Sequence, residues 1–208
     1  MCLDKVMEIK LALAEKMIGG FKKGSIYAIA TRPGVGKTHF CISVATLFAS
    51  KESKVLYISN NISEEEFFNR QKAFNSNYGE NIDFEQVYKL TLDGLDMFAS
   101  EDDYDLIVLD PFDIYALDID LGELKEWAKK KNIPILVSKY LSRPPLEDDR
   151  NHPVLSDLKF PQESLQKKFL AYVDVILFAY RKALQSGIIL TVAKNIYGTI
   201  GTTIEIGK

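Results

Sequence analysis

An α/β fold, with a mostly parallel central sheet flanked by helices and a phosphate-binding loop after its first strand, is predicted by three observations. A short apolar run, Ser25 to Ala30, breaks into a glycine-bearing turn that ends in Gly36-Lys37-Thr38 and passes into a helical pattern. A second run, Tyr104 to Asp110, is apolar up to a terminal acid. Strand-length and helix-length patterns alternate between and after these two, and the chain closes on a pair of strand-like runs.

The loop reads Thr31-Arg-Pro-Gly-Val-Gly-Lys-Thr38, with Thr31 at the first position of G-x-x-x-x-G-K-[ST], and it lies in the strand–turn–helix setting that the motif requires. His39 to Ala49 form the following helix, because Phe40, Val44, Leu47 and Phe48 recur at helical spacing. Gly34 and Gly36 allow backbone amides to turn inward around a phosphate, and the helix N-terminus adds the positive end of its dipole. Arg32, Pro33, Gly34, Val35, Gly36, Lys37, Thr38 and His39 are the expected nucleotide-binding set. Lys37 is expected to act on the β- and γ-phosphates, and the Thr38 hydroxyl to bind magnesium. An acid at the carboxyl end of a buried parallel strand emerges at the ligand edge. Asp110 therefore joins Thr38 as the second metal residue, and the expected ligands are ATP and Mg2+.

A chain of 208 residues, 47% of them hydrophobic, can bury one substantial core, so residues 1–208 are expected to form a single domain with 1–19 as an N-terminal helix or linker. The formal charge of -3 gives no bulk attraction to nucleic acid, so any contact with single-stranded DNA needs a local stripe or an assembled ring. Cys2 and Cys41 lack metal-ligand spacing and read as reduced bystanders. No stretch is long and apolar enough to span a bilayer, and Asp4, Lys5 and Glu8 interrupt the N-terminus, so no signal peptide and no membrane partner are expected. The expected location is cytoplasmic.

The remaining elements follow in order. Residues 3–18 carry a loosely amphipathic helical pattern that stops at Gly19-Gly20. Lys54 to Ser59 read as a second strand, and Ser63 opens a helix to about Ala73 as its N-cap, with Glu66 completing a capping box. Asn75 to Glu85 read as a surface loop, Gln86 to Leu90 as a third strand and Leu92 to Ala99 as a helix. Leu121 to Lys131 form a helix whose three closing lysines suit its negative end, followed by the strand Ile133 to Val137. Arg143 to Pro153 read as a mobile loop in which His152 is solvated. A helix at Glu163 to Ala171, a strand at Val173 to Tyr180 and a hairpin of Ile188 to Ala193 with Thr199 to Ile206 close the chain, and this closing hairpin points to the RecA-like branch of the phosphate-loop class.

Gly19-Gly-Phe-Lys-Lys-Gly24 leading into Ala30 to Thr38, with its Arg32-Pro33 pair, resembles the start of the ATPase domain of DnaB-type replicative helicases. Leu121 to Ile135, Ser138-Lys-Tyr-Leu-Ser-Arg143, Ser156-Asp-Leu158, Val173 to Arg181 and Ala193-Lys-Asn-Ile-Tyr-Gly198 are similar to later motifs of the same family, in the same order. The likeness runs over about 18–206, so that family's N-terminal helical collar domain is not expected within these residues. It implies a RecA-like ATPase in DNA replication, acting as a homo-oligomeric ring or with a replication-protein partner. Departures from the family pattern fall along the hydrolysis pathway. Asn61 stands where the resemblance implies the glutamate that activates water, and a neutral amide cannot accept that proton. Lys194 matches the family's lysine that reaches a neighbour's γ-phosphate and is carried over as catalytic with Lys37 and Asp110, while Ile196 takes the place of the partner arginine. Loss of such an arginine removes about 10³ to 10⁵ in rate. Lys139 replaces the sensor glutamine, and it or Lys194 could supply part of the missing charge, as Glu64 or Glu65 could supply the missing base. Two readings stay open: an ATP-driven helicase or translocase with weakened hydrolysis, and a slow or non-hydrolysing nucleotide-binding accessory of a replication system.

Overall fold

The computed structural model describes residues 16–49, 53–73, 81–100, 103–112, 117–142, 152–181 and 187–206. Within them the chain runs β1 (Ile26–Thr31), α1 (Lys37–Ala49), β2 (Val55–Ser59), α2 (Glu64–Lys72), β3 (Ile82–Gln86), β4 (Leu90–Thr91), α3 (Leu92–Ser100), β5 (Leu106–Asp110), β6 (Leu117–Asp118) and α4 (Leu121–Lys131). It continues with β7 (Ile135–Tyr140), a 3-10 turn at Leu155–Asp157, α5 (Glu163–Tyr172), β8 (Val175–Tyr180), β9 (Ile188–Asn195) and β10 (Thr203–Ile206).

Runs that are apolar at every position become central strands, because only a strand covered on both faces buries them all. The sheet order is β10, β9, β8, β1, β7, β5, β2, β3, parallel from β8 to β3, with β9 and β10 antiparallel at one end. Side chains of alternate parity feed two separate cores. Ile26, Ala28, Ile107, Ile135 and Val137 pack with α3, α4 and α5, through residues such as Leu95, Trp127 and Phe169. Tyr27, Ile29, Val108, Leu136 and Leu177 pack with α1 and α2, through residues such as Ile42, Ala45 and Phe67. The order separates β1 from the acid-ending β5 by one strand, β7, and that spacing builds the site. A second, two-stranded sheet pairs Leu90 with Leu117 and Thr91 with Asp118.

The third strand is displaced from its expected place. It occupies Ile82–Gln86 rather than Gln86 to Leu90, and so takes the end of the segment expected to be loop. It lies at the edge of the sheet, in register with β2 from Val55↔Ile82 to Ser59↔Gln86, and only Ile82 is fully buried. A half-exposed edge strand in which Asp83, Glu85 and Gln86 alternate with or follow only two apolar residues gives a weak apolar signal beside the Asn- and Gly-rich run before it. The capping box also forms by half. Ser63 accepts from the Glu66 amide at 3.2 Å, but the Glu66 carboxylate pairs with Arg70 one turn later. The expected helix over 3–18 lies outside the described residues except at its end, where 16–18 are helical and Ile18 is buried. The expected loop from Arg143 lies outside them up to 151.

The parallel strands start from a buried ion pair. Asp174 accepts from the Ile26 amide at 2.7 Å and pairs with Lys125 of α4, whose ammonium also donates to Gly24 O at 3.0 Å. The hairpin is fixed to the same edge, with Tyr197 Oη 2.6 Å from Ser25 Oγ and the Lys22 ammonium 4.2 Å from the centre of the Tyr197 ring. Removing one partner of such a pair leaves a charge in the interior. Asp174→Ala is expected to lower unfolding free energy by about 3 kcal/mol in urea denaturation at neutral pH. At the start of α4, Asp120 caps the Gly122 amide at 2.8 Å and pairs with Lys168, first Lys168 and then Gly122 holding its carboxyl below the ordinary 3.8. Its stabilising effect is therefore present above that value and is lost as pH falls through the lower folded value. Asp120→Ala should cost about 1 kcal/mol at pH 7, and the gap to the unaltered chain should close in melts run progressively below pH 4.

Candidate nucleotide site

The loop between β1 and α1 bends through Gly34 at φ +79° and Gly36 at φ +107°, backbone that a side chain resists. A Cβ placed on Gly34 would meet nothing within 4 Å, so the loop is open there. Val35 N donates to Arg32 O at 3.3 Å and closes the turn, and Phe40 N donates to Gly36 O at 2.9 Å as the helix begins. The amides of Lys37, Thr38 and His39 thus belong to the first helical turn, which has no intrahelical acceptors for them. Arg32 Nε is buried in the loop without a hydrogen-bond partner, an orphaned donor that an anionic ligand would satisfy. Thr38 is half-buried on the first turn, and His39 beside it has an exposed surface but a partly desolvated ring, which with the nearby Arg70 charge lowers its pKa.

The Lys37 side chain turns under the loop toward the sheet. Its ammonium lies 3.2 Å from Asp110 Oδ1 and 3.0 Å from Ser138 Oγ, over the Tyr140 ring at 4.2 Å from the ring centre. Lys37, Asp110 and Ser138 are all buried. Sheet order explains the meeting: β7 stands between β1 and β5, and its register, Leu109↔Val137, brings Ser138 beside Asp110. Ser138 also donates to Asp110 Oδ1, and the Tyr57 hydroxyl donates to Oδ2 at 2.9 Å. On the other side β2 places Ser59 opposite Asp110, where Ser59 Oγ donates to Asp110 O at 2.8 Å and accepts from the Asn61 amide at 3.2 Å. Burial, then the Asp110 charge, pushes the Tyr57 hydroxyl well above its ordinary pKa, which keeps it a donor; the buried Cys41 thiol is raised for the same two reasons.

The site residues expected from sequence divide into two groups. Arg32 to His39 and Asp110 come together at one end of the sheet, and Asn61 is exposed there, tied to Asp110 through Ser59. Lys194 does not join them. β9 starts beside the loop, since a Cβ on Gly36 would lie 3.9 Å from Ile188 Cδ1, and Lys194 is six residues further on, roughly 20 Å away along the strand. Its ammonium donates to Leu170 O and Val173 O at the end of α5, and burial lowers its pKa. Ile196 follows it, 57% exposed, at that opposite edge. Lys139 is buried on the other face of β7 from Ser138, with its ammonium 3.4 Å from Phe112 O and 4.5 Å from the Phe160 ring centre. Tyr57, Ser138 and Tyr140 are the partners that sequence reasoning gave no role. The strand-end position of Ser138 was a readable cue, whereas Tyr57 looked like one more core residue.

The donor set suits a polyphosphate carried with a hard cation. One carboxylate and one hydroxyl can supply two of a magnesium ion's oxygens, directly or through water, and phosphate oxygens and water supply the rest. Among the described residues no three His, Cys, Asp or Glu side chains cluster as a metal site by themselves.

The chain is similar to known proteins in sequence and in fold. Residues 7–104 match the family described as DnaB-like helicase C terminal domain. Over those residues the chain is similar to DnaB-like helicase C-terminal domains. It is 27% identical to a probable plasmid replicative DNA helicase of Chlamydia trachomatis serovar L2, over 88% of this chain and 48% of the relative, and 28% identical to one of Chlamydia muridarum, over 87% and 48%. It thus spans about half the length of these curated relatives. Among solved structures it superposes on one described as an ATPase domain with TM-score 0.78 at 16% identity, covering 93% of this chain and 84% of that one. A DnaB-like replicative helicase, described with its interactions with primase, superposes with TM-score 0.72 at 18% identity, covering 93% and 57%. These superpositions show the fold alone, the RecA-like arrangement of a mostly parallel sheet between helices. No helix among the described residues is long and apolar enough to cross a membrane.

Lys37 both neutralises Asp110 and lines the loop. Lys37→Ala should therefore abolish ATP binding in calorimetry and, without nucleotide, lower stability in urea by about 3 kcal/mol, because Asp110 stays buried without its counter-charge.

Proposed function

We propose that this DnaB-like domain acts in DNA replication as an ATP-binding element with slow hydrolysis. The observation that carries the reading is the contrast at the nucleotide edge. Loop, lysine and acid stand together, while Asn61 is exposed where the resemblance to DnaB-type helicases implies a water-activating glutamate. The plasmid replicative helicases among its relatives supply the replication context.

In this reading the amides of the loop and of the first turn of α1 hold the phosphates of ATP. Lys37 leaves Asp110 for the β- and γ-phosphates, and Arg32 donates its orphaned Nε–H to the same anion. Thr38 and Asp110 hold the magnesium, which when bound offsets the charge of the phosphates and of the leaving group. Asn61 can orient a water through its amide but cannot take its proton. Glu64 and Glu65, at the exposed start of α2, are the nearest substitutes in sequence. Lys194 lies at the edge away from its own loop, so it can serve only a neighbouring chain's nucleotide, and only by leaving the α5 carbonyls. Ile196 brings no charge to such a contact.

Steady-state ATP turnover, measured with and without single-stranded DNA against Lys37→Ala, tests the reading. Turnover only slightly above that blank and unchanged by DNA is expected, with ATP at a hundredfold excess over its dissociation constant stabilising the chain by about 2.7 kcal/mol. Turnover well above the blank that rises with DNA would replace this reading with a translocating motor. Asn61→Glu is expected to raise residual turnover, and no gain would mean that the base is not what limits hydrolysis.

A further inference from the structure

The hydroxyl of Tyr57 reaches the centre of the nucleotide site from within the core, and no step of the reading above uses it. Tyr57 lies on β2 in register with Val108, two residues before Asp110 on β5, so its side chain and that of Asp110 share one face of the sheet. The ring is held against Phe67, 4.6 Å between centres, and stacked near Phe84 at 5.9 Å. A ring clamped in this way cannot swing its hydroxyl elsewhere, and a buried hydroxyl is costly without a partner. Its partner is Asp110 Oδ2 at 2.9 Å.

A carboxylate offers about four acceptor positions. Here Lys37 and Ser138 occupy two on Oδ1, and Tyr57 occupies one on Oδ2. When Lys37 moves to a phosphate, Ser138 and Tyr57 remain, one donor to each oxygen. Two donors on different oxygens fix the plane of the carboxylate, whereas one alone would leave it free to pivot about that bond. Each oxygen then keeps one lone pair directed away from its donor and open to the water shell of a cation.

We propose that Tyr57 is a positioning residue for Asp110, holding the carboxylate in the orientation from which it meets the divalent cation carried by the nucleotide. The inference rests on the nucleotide-binding reading above. It concerns cation affinity rather than phosphate affinity, and that difference gives it a signature a purely structural tyrosine would lack.

The experiment compares the full chain with Tyr57→Phe, which keeps the ring against Phe67 and Phe84. Free Mn2+ is followed by electron paramagnetic resonance as it is titrated into protein with saturating ADP, and ADP affinity is measured separately in chelator. Tyr57→Phe is expected to bind Mn2+ on the order of ten-fold more weakly, the effect of one hydrogen bond to a charged group, with metal-free ADP affinity unchanged. Unchanged Mn2+ affinity would overturn the proposal. So would equal weakening of Mn2+ and metal-free ADP, which would make Tyr57 a packing residue of the loop. Absence of ADP binding by the unaltered chain would instead overturn the nucleotide reading, and this inference with it.

Discussion

A carboxylate buried at the carboxyl end of a strand is the constraint on which the rest of this molecule turns. Asp110 is almost wholly out of water, and every neighbour that reaches it is a donor: an ammonium, an alcohol and a phenol on its side chain, and a second alcohol on its carbonyl. Four strands must hold their order and register for those groups to meet. β1 delivers the loop and its lysine, β7 delivers Ser138, and β2 delivers both Tyr57 and Ser59. The sheet is therefore as much a device for neutralising one charge as a scaffold for a loop.

Much of this was legible in the sequence, for identifiable reasons. The central strands announced themselves because strands covered on both faces contain almost nothing but apolar residues, and the loop announced itself because its chemistry needs glycine, lysine and a hydroxyl at fixed spacing. Asp110 was legible as an acid closing an apolar run. β3 was not, because an edge strand carries half the apolar signal and its charged residues resemble the loop before it. The contacts of Asp110 were also hidden, since they depend on β7 standing between β1 and β5, an order that no local pattern encodes.

Two lysines show where residue type stops short of role. Lys139 follows Ser138 in the chain, yet the alternation of a strand sends one side chain to the lysine of the loop and the other into the opposite core, against Phe160. Lys194 satisfies carbonyls at the end of α5, a place where any cation is welcome beside the negative end of a helix. The resemblance to DnaB-type helicases implies a neutral glutamine at the first and a lysine at the second, and in this chain both charges have local partners.

The tethering of the hairpin through Tyr197 and Ser25 has a consequence for symmetry. It keeps the end of β9 at one rim of the sheet, while the phosphate loop opens at the other. A joint between those two rims on successive copies cannot be related by a two-fold axis, because each copy would offer a different surface to its neighbour. Such head-to-tail joints repeat a single rotation, and that rotation alone determines whether the copies close on themselves or continue as a screw.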